Sequence, residues 1–236
     1  MGTRLFPILL LGFLAGCGGS SKSSEEDTLL EASESATFEN VTRLGPHRFQ
    51  SILVQEKSLG GQTTTEKVAM EWADWDNFQL QRFRNDKLRA ESRVLRGKAF
   101  ARSGKGRFRN AKDAELYRIE MRHSASFWGR ALEPFRGRVL AEPAESGTID
   151  GRPAQRYTLS LADGEPPQRG SHPISLQGEM WIDLATAVRL SGKLKGHFLK
   201  NGIEGQDVLI ALTLNRDAIG IVPVIERPEN VRRSRF

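Results

Sequence analysis

One cysteine, Cys17, serves the whole 236-residue chain, so neither an intrachain disulfide nor a cysteine-based metal centre can be built from it. Histidine is scarce too. His47, His123, His172 and His197 are scattered, with no HExxH and no pair at metal-ligand spacing. No G-x-S-x-G elbow is present. Gly104-Lys105-Gly106-Arg107 lacks the third glycine and the Lys-Ser/Thr ending of a phosphate loop, and reads as a basic hairpin turn. Asp74 and Asp76 are candidates for an acid–base pair, but Asp-Trp-Asp-Asn at a strand end is turn chemistry. These absences predict a protein that is not an enzyme and needs no cofactor. Long apolar runs are missing as well: nothing approaches the ~20 residues of a membrane-spanning helix. Hydrophobic residues make up only 38% of the chain, little for a compact helical protein but enough for a sheet that buries one face.

What is present begins at the N-terminus. Arg4 supplies a positive n-region and Leu5 to Leu14 an apolar h-region within the ~7–15 residues of a secretory signal. The Leu14-Ala15-Gly16-Cys17 order resembles the bacterial lipobox. That resemblance implies a signal peptide at residues 1–16, cleavage before Cys17, and lipidation of Cys17 with acyl chains such as palmitate. The protein is then an envelope lipoprotein tethered to a membrane. Gly18 stands where an Asp would favour inner-membrane retention in enteric bacteria, so the outer membrane is the expected address, with the domain facing the periplasm. Gly18 to Ala36 is rich in Gly, Ser and acidic residues and reads as a flexible tether with a reach of ~25 Å.

Charge adds a partner expectation. Lys and Arg total 35 against 29 Asp and Glu, but the arginines between Arg82 and Arg138 are dispersed. In an exported chain this excludes nucleic acid, and it fits a solvated basic face or attraction to anionic lipid. Arg89, Glu91 and Arg93 share one face of a strand. Residues 226–236 read as a basic C-terminal tail.

The dominant period from residue 37 to 225 is two. Val68, Met70 and Trp72 alternate with Lys67, Ala69 and Glu71, which predicts a half-buried strand. Phe78 and Leu80 follow the Asp74–Asn77 turn, and Asn85-Asp86 predicts a tight hairpin before Leu88–Leu95. Val188, Leu190, Leu194 and Phe198 alternate with charged residues, and Gly192 and Gly196 fall on their apolar side, where they allow bending or close approach. Val208, Ile210, Leu212 and Leu214 form another apolar strand after the Asn201-Gly202 turn. Between Asn110 and about Glu133 the spacing becomes helical, with Asn110 as N-cap, Leu116/Ile119 and Tyr117/Met121 as paired positions, a break near Ser124-Ala125-Ser126, Trp128, Leu132 and Phe135 repeating at helical spacing further on, and a stop at Pro134. The sum is about five strands, a helical insertion and about five more strands. The fold class is mainly β with a helical insertion: an unclosed antiparallel β-barrel with a helical lid.

Two segments carry a family likeness: Gly151-Arg152-Pro153-Ala154-Gln155-Arg156-Tyr157, and Gly178-Glu179-Met180-Trp181-Ile182-Asp183 with Thr186. Together with Asp76-Asn77-Phe78, Arg82 and Lys98–Arg102, they resemble the LolA/LolB and LppX/LprG-like superfamily of bacterial envelope carriers. The resemblance implies a half-barrel whose apolar cavity receives an acyl chain of a lipid or lipoprotein. Candidate ligand contacts are Val68, Met70, Trp72, Phe78, Leu190, Leu194, Phe198 and Ile210. The same residues can equally form a filled core, which leaves a non-catalytic assembly lipoprotein with an envelope protein as partner as the second expectation.

Overall fold

The computed structural model describes residues 38–111, 113–124, 127–164, 170–229 and 231–232. The signal segment, Cys17 and the tether through residue 37 lie outside the described residues. A short helix α1 (Phe38–Leu44) leads into β1 (His47–Lys57), β2 (Gln62–Asp74), β3 (Asn77–Arg84), β4 (Lys87–Leu95), β5 (Lys98–Ser103) and β6 (Arg109–Ala111). Helices α2 (Ala114–Ser124) and α3 (Phe127–Leu132) and a 3₁₀ turn (Glu133–Phe135) follow. The chain finishes with β7 (Val139–Ile149), β8 (Arg152–Leu161), β9 (His172–Asp183), β10 (Arg189–Leu199) and β11 (Asp207–Asp217).

Turn chemistry fixes the hairpins. Asn85 and Asp86 have φ of 49° and 59°, and Asp150-Gly151 has 49° and 77°. Both central residues are thus left-handed, the I′ pattern whose twist matches two antiparallel strands. At the Asp74 turn, the Asp74 carboxylate accepts hydrogen bonds from the Asp76 backbone N–H at 2.7 Å and the Asn77 side-chain amide at 2.9 Å. The Asp74 carboxylate therefore holds a turn, as its sequence context predicts, while the Asp76 carboxylate pairs with Arg118.

All eleven strands form one antiparallel sheet in the order β6-β5-β4-β3-β2-β1-β11-β10-β9-β8-β7. β1 and β11 pair at its centre, from Arg48 opposite Asp217 to Lys57 opposite Val208. β6 and β7, consecutive in the chain, are the two outer edges and do not pair, so the barrel stays open. A connection from one edge to the other must cross a face of the sheet. The helical insertion makes that crossing: α2 lies against β4 and β5, α3 against β11 and β1, and the 3₁₀ turn against β9.

Two differences from the sequence reading concern this crossing. Asn110 is not an N-cap. It pairs with Phe100 in β6, and the cap is Asp113, whose carboxylate accepts the Glu115 N–H at 2.8 Å. The ladder to β5 occupies the backbone of Asn110, so the helix starts only after it. Leu116 and Ile119, at helical spacing, are exposed (62% and 40%) and do not face the core. The break between α2 and α3 falls where Ser124-Ala125-Ser126 places it.

The crossing is seated on glycine. A Cβ on Gly192 would lie 2.6 Å from Trp128 Cζ3, and one on Gly196 would lie 2.5 Å from Phe135 Cζ. These two positions let the rings of α3 and the 3₁₀ turn descend onto the backbone of β10. Phe135 then meets Phe198 edge-on at 5.9 Å, within the favoured range for aromatic pairs.

The described part of the basic tail, residues 226–229 and 231–232, lies against the sheet. Arg93 Nη1 donates to the Glu226 carbonyl at 2.9 Å, and the Arg232 N–H donates to the Phe108 carbonyl at 2.9 Å. Residues 221–229, although outside any strand, thus run back over the N-terminal wing of the sheet.

Candidate functional site

The eight apolar residues nominated from the sequence are all buried, and they divide between two packed clusters. Leu194, Phe198 and Ile210 join Trp128, Leu132 and Phe135 beneath the helical crossing. Val68, Met70, Trp72, Phe78 and Leu190 join Val41 and Leu44 of α1, together with Phe49, Leu80 and Leu214. The structure thus brings them onto one concave face, where helix side chains already press against them.

Space opens further along the same face. Phe78 and Leu80 on β3 are opposite Val94 and Ser92 on β4, and Ser92 is opposite Ala101 on β5. Ala90 is opposite Ser103, and Ala99 opposite Ala111. Side chains therefore shrink from Phe and Leu to Ser and Ala toward the β6 edge. α2 bridges above them without filling the gap. The result is a half-open cavity of about 560 Å³ lined by Ala90, Ser92, Ala101, Ser103, Ala111 and Tyr117, with the polar residues Glu91, Arg102, Arg107, Arg109 and Asn110 also on its walls. That volume lies within the ~300–1,000 Å³ usual for small-ligand sites. Sequence reasoning passed over these positions because it searched for large apolar side chains, and a cavity is made by small ones.

A smaller hollow of about 280 Å³ lies over β1–β3 and β11, lined by Gln50, Glu71, Gln79 and Gln81 together with Phe49, Ala69 and Met70.

The motif segments that carry the family likeness come together at the β9–β10 turn. Asp183 is 1% exposed. Its carboxylate accepts Arg152 Nε at 2.8 Å and Nη2 at 3.0 Å, and Thr186 N–H and Oγ1–H at 2.8 and 2.6 Å. Burial pushes the Asp183 pKa up, but the hydrogen bonds from Arg152 and Thr186 and the arginine's charge outweigh it, so the pKa lies below 3.8. The motif is thus a structural clasp. A carboxylate with a depressed pKa contributes stability at neutral pH and loses it as pH falls through that lowered value. Asp183→Asn is expected to cost roughly 2–3 kcal/mol at pH 7 and to flatten the loss of stability below about pH 4. Urea titrations at pH 7 and pH 3 check this, and equal losses at both pH values would refute it.

The remaining polar candidates are dispersed. His197 Nε2 is 2.7 Å from Asp207 Oδ1 on the neighbouring strand. His47 is buried, with Nδ1 2.8 Å from the Gly45 carbonyl. Asp76 is paired with Arg118 of α2. Among the described residues no three His, Cys, Asp or Glu side chains converge as a metal site. Arg93, read as part of a basic face, is instead bound to buried Glu91 at 2.8 Å; only its neighbour Arg89 is exposed.

No family model and no curated protein matches the sequence. Solved structures do. LprF from Mycobacterium bovis is 14% identical, with 89% of this chain and 99% of that chain covered at a TM-score of 0.35. MucB in complex with MucA(peri) is 16% identical, covering 84% of this chain at a TM-score of 0.32. The chain spans 57% of that MucB chain. A LolA superfamily protein from Nitrosomonas europaea is 6% identical, with 86% and 95% covered at a TM-score of 0.25. These superpositions are loose.

Proposed function

We propose that this protein is a membrane-anchored envelope lipoprotein whose open half-barrel receives an acyl chain of a lipid or lipoprotein, without catalysis. The observation that supports this reading is the cavity beneath α2, where Ala and Ser replace the large side chains that fill the rest of the concave face. Each methylene buried there contributes roughly 0.8 kcal/mol, so a chain can be held with few polar contacts. Arg107 and Arg109 on the same walls suit an anionic headgroup. The anchor is Cys17, lipidated after cleavage of residues 1–16, and the outer membrane is the proposed address.

Native mass spectrometry of the full protein, extracted in gentle detergent, tests the reading. Wild type is expected to carry lipid mass beyond its own N-terminal acyl chains. Ala101→Trp, which narrows the cavity, is expected to lose at least half of that occupancy while keeping its circular dichroism spectrum. A wild-type protein free of extra lipid would count against the carrier.

That result would favour the second reading, a non-catalytic assembly lipoprotein. The filled packing of Leu194, Phe198 and Ile210 against Trp128 and Phe135 supports it. Its partner surface would then include exposed Arg89 but not Arg93, which is bound into the sheet.

A further inference from the structure

Arg216 is buried on the concave face of β11, and among the described residues it has no carboxylate partner. Its guanidinium carbon is 4.7 Å from the Phe49 ring centroid, and one amino group donates to the Arg189 carbonyl. Its Nε–H has no partner. Burial holds its pKa down to about 10, with no acidic group offsetting the effect. A buried cation is ordinarily paired, because desolvation without a counter-charge is costly.

The surroundings supply further donors. Phe49 is opposite Arg216 across the β1–β11 pair, and Ser51 is opposite Leu214, so Ser51 is the diagonal neighbour of Arg216 on the same face. Ser51 Oγ is buried and unpartnered, as is Trp128 Nε1. The Trp128 ring lies 4.2 Å from the guanidinium carbon of Arg189, whose carbonyl Arg216 holds. His47 stays neutral: burial foremost, and the Arg216 charge beside it, lower its pKa to about 3. Arg216 is therefore opposed by neither a carboxylate nor a second ionisable cation from β1.

We infer that Arg216, with Ser51 and Trp128, forms an interior oxyanion site for a carboxylate or phosphate group. This site is separate from the cavity beneath α2 and does not depend on it. Trp128 closes it, so entry requires α3 to lift from β10. The anion can be the headgroup of an amphiphile or a free ion, and both supply the same acceptor oxygens for the arginine fork.

Thermal unfolding of the full protein, at constant ionic strength with chloride as reference, tests the site. Octanoate and inorganic phosphate are the two probes, and tryptophan emission is recorded in parallel. At least one probe is expected to raise the midpoint of wild type and shift the emission. Stabilisation by octanoate alone identifies an amphiphile headgroup; stabilisation by phosphate as well identifies the free anion. Arg216→Met is expected to abolish both responses and to raise the midpoint in chloride, because it removes the unpaired charge while keeping the volume. Arg216→Lys, which keeps the charge but not the fork, is expected to bind at least tenfold more weakly. Ser51→Ala, less disruptive to packing, is expected to weaken binding several-fold. A wild type indifferent to both probes would overturn the inference. So would an Arg216→Met protein that is less stable in chloride and still responds, which would make Arg216 only a clamp on the Arg189 carbonyl.

Discussion

Replacing Gly192 with alanine is expected to lower the unfolding midpoint by roughly 6–12 °C and to shift tryptophan emission to the red. The added methyl would sit 2.6 Å from Cζ3 and 2.8 Å from Cη2 of Trp128, contacts that real atoms do not tolerate. Moving the ring aside disrupts its packing, since Trp128 has no exposed surface and is enclosed by the cluster of Leu53, Leu194 and Leu212. Overpacking a filled interior costs ~1–3 kcal/mol, and losing a buried aromatic ~3–5. A value near 3 kcal/mol, at about 2–4 °C per kcal/mol for a domain of this size, gives the stated range. Gly196→Ala is expected to act alike through Phe135. The mechanism, beyond the magnitude, is tested by a double-mutant cycle. In a Trp128→Leu background the obstructing ring atoms are gone, and Gly192→Ala should become nearly neutral. An undiminished cost there would place the effect in the strand backbone.

The same contact shows what could be read from residues alone. Gly192 and Gly196 on the apolar side of an alternating strand announce a close approach, and the helical spacing of Trp128, Leu132 and Phe135 announces what approaches. Neither fixes the pairing between them, which depends on β6 and β7 lying at opposite edges of the sheet. The period of two placed the strands and their buried faces, because alternation is a local consequence of burying one side. The Asn110 cap failed because a short edge strand competes for the same residues, and edge pairing is not local. The cavity stayed hidden for a related reason: Ala90, Ser92 and Ala101 look unremarkable in order, and become a wall only when β4 and β5 set them side by side. Arg216 was passed over at the end of an apolar strand, because sequence order does not show that Phe49 of β1 lies opposite it.

Glu91 illustrates the same point with the second large effect. In sequence it belongs with Arg89 and Arg93 to a charged strand face, yet its side chain is fully buried. Arg93 donates to Oε1 through Nε at 2.9 Å and Nη2 at 2.8 Å. Arg102 donates to Oε2 through Nε at 2.8 Å and also through Nη2. Both guanidinium carbons lie over the Phe108 ring, at 5.1 and 4.6 Å from its centroid. One carboxylate therefore holds two arginines together beside one aromatic ring, and Arg93 in turn holds the Glu226 carbonyl. Glu91→Ala leaves two like charges partly buried beside each other with nothing between them. Removing one member of such a buried set costs about 3–5 kcal/mol, several times the worth of an exposed pair. The expected result is a lowered midpoint in urea, together with faster backbone hydrogen exchange in residues 221–229, since Arg93 loses the partner that orients it. Glu91→Gln should fall between, because the amide keeps the shape and one acceptor but not the charge. Reversal of Arg89, exposed on the same strand, should leave both readouts unchanged. Equal losses from Glu91→Ala and Arg89→Glu, which change the charge of the face in opposite directions, would mean that any disturbance of the strand acts alike, and that the paired geometry around Phe108 contributes nothing of its own.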